Sequence, residues 1–566
     1  MIYRSEHPKP QFMRDNWVNL NGTWQFEIDN AVSGVARGLS AENAVLSGTI
    51  QVPFCPESKL SGVGNVDFMN AVWYQRTFSV TPEQAAGTVK LHFGAVDYET
   101  TVYINGEQCG THKGGYVGFS FDITKFVREG ENTVTVYAVD DTRSRMIPSG
   151  KQSDRYASYA CSYTRTTGIW QTVWLEFMPK THILSARYTT NAEDAILQIH
   201  AKLQGKGTFK AEAFFQGVPM GSCETVSGGG DVFLSLPLAE KHPCEVGNGR
   251  LYDLVLTYGE DKVNSYFGLR SLQMDGYKFR LNGKSVFQRL VLDQGFYPDG
   301  IYTAPSDAEL RADIERSQAM GFNGARLHEK VFEERFLYHA DCLGYMVWGE
   351  YPNWGLDHTY ADSIYGILPE WLEEVERDFN HPAIVGWCPF NETWDIAGRK
   401  QYDDLLAAIY KATKAADPTR PCIDTSGNFH VITDIFDVHD YEQDPAVFKK
   451  TYTTTEEGLF YDRFSHLQKY QEGQPMFVSE YGGIRWTDDE NGWGYGNAPK
   501  TEEEFLTRLK GLTDVLLDSP YMFAYCYTQL TDIEQEQNGL YTYNRVPKFP
   551  PEVIHPIFSR KAAIED

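Results

Sequence analysis

An excess of positive charge is missing from this sequence: 51 Lys and Arg stand against 77 Asp and Glu, a net charge of −26. A surface of that sign repels polyanions, so no nucleic-acid partner is expected. Also missing is any apolar run near the roughly 18 residues that a membrane span needs. The opening Met1-Ile2-Tyr3-Arg4-Ser5-Glu6-His7-Pro8 has no basic start followed by an apolar stretch, so no signal peptide is read. No membrane partner and a cytoplasmic location are therefore expected. Nine cysteines at irregular spacing include no CxxC pair, which favours reduced, mostly buried thiols over disulfides or a zinc site. His328-Glu329 has no second histidine one helical turn on, no HExxH exists, and no phosphate-cradling glycine loop occurs; neither a metal nor a cofactor is expected.

What is present is length and rhythm. A chain of 566 residues exceeds what one hydrophobic core supports. Residues 1–180 read as a β-sandwich of short strands broken by turns, such as 88–93, 100–104 before the Asn105-Gly106 hairpin signal, 132–139 and 172–177. Residues 181–273 continue in short alternating segments over the length of one immunoglobulin-like sandwich. From 274 to 566 short apolar runs alternate with helical stretches, the signature of βα units. Eight candidate strands, at 286–292, 323–327, 346–349, 384–389, 421–424, 435–439, 476–479 and 522–527, are the number that closes a (β/α)8 TIM barrel. Ser306 and Glu309 form a capping-box pattern for a helix ending near Gly321, and Pro369 suits a first helical turn ahead of residues 371–379. A short last helix is expected over 558–564.

Active sites of such barrels lie at the C-terminal ends of the strands, and that filter removes most of the 77 acids. Glu392, in Phe390-Asn391-Glu392-Thr393-Trp394 after the fourth strand, and Glu480, in Val478-Ser479-Glu480-Tyr481-Gly482-Gly483 after the seventh, remain. They are 88 residues apart in sequence, yet strands four and seven can bring them to roughly 5 to 5.5 Å, the separation of a retaining glycosidase. Glu480 then attacks the anomeric carbon. Its charge is expected to raise the pKa of Glu392 and keep that group protonated for the leaving oxygen.

These segments resemble the nucleophile and acid/base motifs of glycoside hydrolase family 2, which contains β-galactosidases, β-glucuronidases and β-mannosidases. The resemblance extends through Trp17-Val18-Asn19-Leu20-Asn21-Gly22-Thr23-Trp24, Val52-Pro53-Phe54, Trp73-Tyr74-Gln75-Arg76, Phe93-Gly94-Ala95-Val96-Asp97, Gly114-Gly115-Tyr116, Arg165-Thr166-Thr167-Gly168-Ile169-Trp170 and Gly268-Leu269-Arg270. It implies a jelly-roll-like sugar-binding domain, an immunoglobulin-like domain and a catalytic barrel. It also implies a glycoside or oligosaccharide substrate, with Asn391 contacting the sugar 2-hydroxyl. Arg326 is a candidate to hold Glu480 ionised; His439, Tyr441, Tyr525, Tyr527 and Gln529 are candidate wall residues, and Trp348, Glu350 and Trp354 candidates to shape the pocket.

The chain also departs from the family pattern. Glu536 and Asn538 stand where β-glucuronidases carry an Asn-x-Lys pair for the substrate carboxylate, which disfavours a glucuronide. Ser162 replaces an aspartate that commonly contacts the sugar. A β-galactosidase-type exo-glycosidase is the first expectation, an α-L-arabinofuranosidase or other glycosidase of the family the alternative, and a catalytically inactive carbohydrate-binding protein the rival of another class. A homo-oligomer is compatible with the sequence, which does not set the number of subunits.

Overall fold

A computed structural model describes residues 2–453, 470–471 and 473–566. The chain forms two β-sandwiches followed by a parallel barrel. The first sandwich stacks a four-stranded sheet, in the order Trp17–Asn19, Val173–Met178, Thr88–Phe93, Phe119–Asp122, on a six-stranded one built around Ala71–Val80 and Gly130–Val139. Those two strands pair over ten residues, and their alternate side chains, including Tyr74, Val134 and Val136, join Trp24, Leu91, Phe93 and Leu175 in one core. Asn105 and Gly106 both take positive φ (53° and 84°) in the hairpin turn between Glu99–Ile104 and Glu107–Lys113, the conformation that an Asn-Gly pair favours. The second sandwich sets three strands (His182–Asn191, Ile196–Gln204, Gly230–Pro237) against four (Val218–Ser227, Gly207–Phe215, Tyr252–Tyr258, Asp261–Phe267).

In the barrel seven strands pair in parallel: Gln288–Asp293, Gly324–Leu327, Met346–Glu350, Ile384–Cys388, Phe436–Asp440, Met476–Gly482 and Met522–Thr528. The expected strand at 421–424 is reduced to isolated parallel bridges, Trp387 with Cys422 and Asn391 with Ser426. Pro421 has no N–H to give a ladder. The Asp424 carboxylate, moreover, draws the next loop inward by accepting from the amides of Val431 and Ile432 (2.7 and 3.0 Å).

Helices differ from expectation where prolines stand. Ser306 caps Asp307–Ala319 through the Glu309 amide (3.2 Å), but the Glu309 carboxylate pairs with Arg316 instead of returning to the cap. Pro369 lies inside Ile364–Asp378, a helix that starts five residues earlier than its position suggests, so the bond to the Tyr365 carbonyl is lost there. The last helix is Pro551–Phe558, ending where one was expected to begin, with Pro551 in its first turn.

Buried polar contacts fasten the three layers. Arg14 grips Asp261 of the second sandwich (2.8 and 2.9 Å) while reaching Glu176 of the first (3.3 Å). Gly114-Gly115-Tyr116 is a docking edge: the Tyr116 and Val117 amides donate to the barrel's Glu370 (2.6 and 3.0 Å), whose other oxygen accepts from Tyr351 (2.8 Å). Replacing Glu370 by Ala leaves two buried N–H groups without an acceptor and should destabilise this junction by about 2–4 kcal/mol. The expected outcome is a thermal midpoint lowered by several degrees; an unchanged midpoint would show that the carboxylate is not what joins the layers.

Candidate active site

The rim of the barrel collects its polar side chains because parallel strands all end on the same side. Arg326 lies at the end of the second strand, Glu350 ends the third, Asn391 and Glu392 follow the fourth, His439 and Glu480 lie in the next two, and Gln529 follows the last. A bulge at Val438/His439 sets the register so that His439 lies abreast of Glu480. Glu392 leaves its strand with φ of +49°, a left-handed turn held by its amide on the Ser426 carbonyl (2.9 Å).

These residues make one hydrogen-bonded cluster. A carboxylate oxygen of Glu392, one of Glu480 and a ring nitrogen of His439 lie within 4.8 Å of one another. His439 Nδ1 is 2.8 Å from Glu392 and 3.3 Å from Glu480. Glu480 is clamped from both sides, by Arg326 Nη1 at 3.2 Å and by the Tyr441 hydroxyl at 2.5 Å. Arg326 also holds Glu350 (2.6 Å) and the Asn391 side-chain oxygen (3.1 Å), and the buried Asn391 Nδ2 has no acceptor among the described residues. Tyr441 stacks on Tyr495 with ring centroids 3.4 Å apart. Gly483 (φ +58°) gives room for that stack, since a Cβ there would come within 2.4 Å of Tyr495 and 3.2 Å of Tyr441.

The protonation pattern differs from the one read from sequence. Burial works against ionising Glu392, but the hydrogen bond from His439, its charge and that of Lys151 more than offset it and bring the group down to about 2. Burial likewise opposes charge on His439, yet Glu480 and Glu392 together raise its pKa. The proton expected on Glu392 therefore rests on the imidazole between the two carboxylates. Glu350 is also buried, and the charges of Arg326 and His328 carry it down to about 2, making it the anion that fixes Arg326.

Other residues picked from sequence lie elsewhere. Trp348 is inside the barrel, packed on Phe477 and donating to Gln288 (2.8 Å), so it supports the floor without lining the pocket. Tyr525 points the other way, to the helix layer, where its hydroxyl meets the Phe558 carbonyl (2.8 Å); Tyr527 also packs on Phe558. Alternate residues of a strand face opposite sides, and both tyrosines fall on the outer one. Gln529 is engaged with Gln294 (2.6 Å) and Asn538 (2.8 Å). Trp354 does line the cavity, and its indole N–H donates to the Asn391 carbonyl (3.2 Å).

The strand-end filter missed the opposite wall. A cavity of about 330 Å³ beside Glu392 is bounded on the barrel side by Asn353, Trp354 and Trp394, and on the other by a loop of the first sandwich including Gly150, Gln152, Cys161 and Ser162. Lys151 and Tyr163 come from that same loop. Tyr163 donates to Glu536, which also accepts from Asn538 (3.1 Å) and whose pKa burial raises. No periodicity marks such a loop, because its place is set by docking and not by its own structure. The donors of Glu392, His439 and Glu480 are close enough to close on a cation as well as on a proton.

Comparison with known proteins agrees with this architecture. Residues 17–179 match the sugar binding domain of the glycosyl hydrolases family 2, and residues 308–499 match the TIM barrel domain of the same family. A putative β-glucuronidase of Formosa agariphila is 26% identical over 518 residues, which are 85% of this chain and 58% of that protein. A β-galactosidase of Thermoanaerobacter pseudethanolicus is 27% identical over 350 residues, 58% of this chain and 46% of the relative. The chain thus spans only about half the length of these two relatives. Among solved structures, the β-glucuronidase from Ruminococcus gnavus in complex with D-glucuronic acid superposes with a TM-score of 0.78 at 18% identity, covering 98% of this chain and all of the other. With both family domains matched in order and both glutamates inside the second, the chain belongs to glycoside hydrolase family 2.

Proposed function

We propose that the protein is a retaining exo-glycosidase in which Glu480 is the nucleophile and Glu392 the acid/base. The observation that carries this reading is the approach of the two carboxylates to within 4.8 Å. Inverting pairs stand roughly 6.5 Å or more apart to admit a water, whereas retaining pairs do not. A pocket walled by the sandwich loop suits a chain end better than the middle of a polymer.

Glu480, oriented by Arg326 and Tyr441, attacks the anomeric carbon as the glycosidic C–O bond breaks. The leaving oxygen takes a proton from Glu392, which draws it in turn from His439 Nδ1 at 2.8 Å. The glycosyl ester on Glu480 carries no negative charge, so His439 loses one of the two anions that held its proton. Glu392, again a carboxylate, deprotonates a water that attacks the anomeric carbon and frees Glu480. The unsatisfied Asn391 Nδ2 supplies a donor for the sugar 2-hydroxyl.

For the sugar itself, a β-galactoside is a second, narrower reading. It is favoured by Glu536, an acid at a position where an acidic substrate would want a base, and by the β-galactosidase relative. Hydrolysis of a panel of nitrophenyl glycosides that includes the arabinofuranoside ranks the sugars directly.

Glu480→Gln should cut kcat by several orders of magnitude while leaving sugar binding within a small factor; undiminished turnover would remove the nucleophile assignment. In the pH profile of kcat/KM, activity requires the shared proton and falls as pH rises through the raised pKa of His439. His439→Asn leaves only Glu392 to hold that proton and should move the alkaline limb to lower pH; a limb that stays in place would mean that His439 does not share the proton. Dialysis against EDTA should leave activity unchanged, and a loss restored by a divalent cation would assign the Glu392-His439-Glu480 cluster to a metal instead.

A further inference from the structure

Of the two groups that clamp Glu480, Arg326 is locked in place by Glu350, the Ser479 carbonyl and Asn391, all of them buried. Tyr441 has no such frame. It is half-buried, its hydroxyl meets Glu480 at 2.5 Å and Thr528 at 3.1 Å, and among the described residues the one ring packed on it is Tyr495. The two rings lie 6° from parallel, so the plane of Tyr495 sets the plane of Tyr441 and with it the direction of the hydroxyl.

The sequence around Tyr495 suits this contact. Gly492-Trp493-Gly494-Tyr495-Gly496 alternates glycine with aromatic residues, and in extended backbone alternate residues face opposite sides. Parallel bridges join Trp493 to Glu536, in the loop after the last strand, and Tyr495 to Ile484, just beyond the strand that carries Glu480. On the glycine side the packing is close: a Cβ at Gly492 would come within 2.5 Å of Gln537 Oε1, and one at Gly494 within 2.8 Å of Arg485 Cα. On the aromatic side Trp493 sets its ring edge-on to Tyr495, with centroids 5.5 Å apart, and donates its indole N–H to the Ala160 carbonyl of the sandwich loop (2.7 Å). The Tyr495 amide is fixed on the Gly483 carbonyl (2.8 Å).

We propose that Tyr495 is a positioning residue of the reaction: by stacking on Tyr441 it holds that hydroxyl on Glu480, and Trp493 carries the support across to the first sandwich. The proposal rests on the glycosidase reading above, with Glu480 as nucleophile. With the Tyr441 ring free to turn, the carboxylate keeps Arg326 at 3.2 Å and His439 at 3.3 Å but loses its shortest hydrogen bond. A nucleophile displaced by about 1 Å can lose about a hundredfold in rate.

The test is a double-mutant cycle read in kcat and KM, run on the nitrophenyl glycoside that the wild type cleaves fastest. Tyr495→Leu should lower kcat about a hundredfold with KM nearly unchanged, and Tyr495→Phe, which keeps the planar face, should recover most of the loss. Tyr441→Phe should fall as far, and adding Tyr495→Leu to it should cost little more, because the hydroxyl that Tyr495 holds is already gone. Full activity of Tyr495→Leu, or a loss that multiplies with that of Tyr441→Phe as a general structural defect would, overturns the proposal and leaves the glycosidase reading standing. If the wild type cleaves no glycoside at all, both fall. Should Tyr495→Leu fail to fold, Tyr495→Met, which keeps apolar bulk without a planar face, goes through the same cycle and is judged by the same two outcomes.

Discussion

Two carboxylates within 4.8 Å of each other repel, and much of the barrel rim is arranged to make that proximity tolerable. Arg326 takes one oxygen of Glu480, Tyr441 the other, and His439 lodges a proton between the pair. Each compensating group is itself secured. Arg326 is fixed by Glu350, His439 rests on Ser426 through Nε2 at 3.0 Å, and Tyr441 is stacked on Tyr495. The clamp is therefore several layers deep, and it is built on paired parallel strands.

The same arrangement explains why Glu392, the acid/base we propose, does not carry its own proton at rest. A lone carboxylate beside another anion would be driven to protonate, as the sequence suggested. An imidazole interposed between them is the better base in that field, and one proton serves both neighbours. Proton delivery then becomes a short transfer along an existing hydrogen bond of 2.8 Å.

Much of this was legible in the residues. Alternating strands, the Asn105-Gly106 turn and the βα rhythm gave the three-layer order, and the strand-end rule singled out Glu392 and Glu480 from 77 acids. The fifth strand was overread because an apolar run containing Pro421 looks like a strand while lacking a donor it needs. Tyr525 was assigned to the wall since sequence shows that a strand is present but not which of its faces looks inward. Lys151 and Tyr163 left no trace at all. Their position near the glutamates depends on where one domain settles against another, through contacts such as Tyr116 with Glu370, and such long-range docking has no local pattern.

Half of the cavity wall thus belongs to a folding unit other than the barrel that carries the two glutamates. The rim of the barrel is constrained by its interlocked charges, whereas the sandwich loop is held by backbone anchors at Ser149, Gly150 and Tyr163 and by Trp493 and Gln535, which donate to its Ala160 and Ser162 carbonyls. Exchange of side chains along that loop offers evolution a route to new diets without disturbing the machinery beneath.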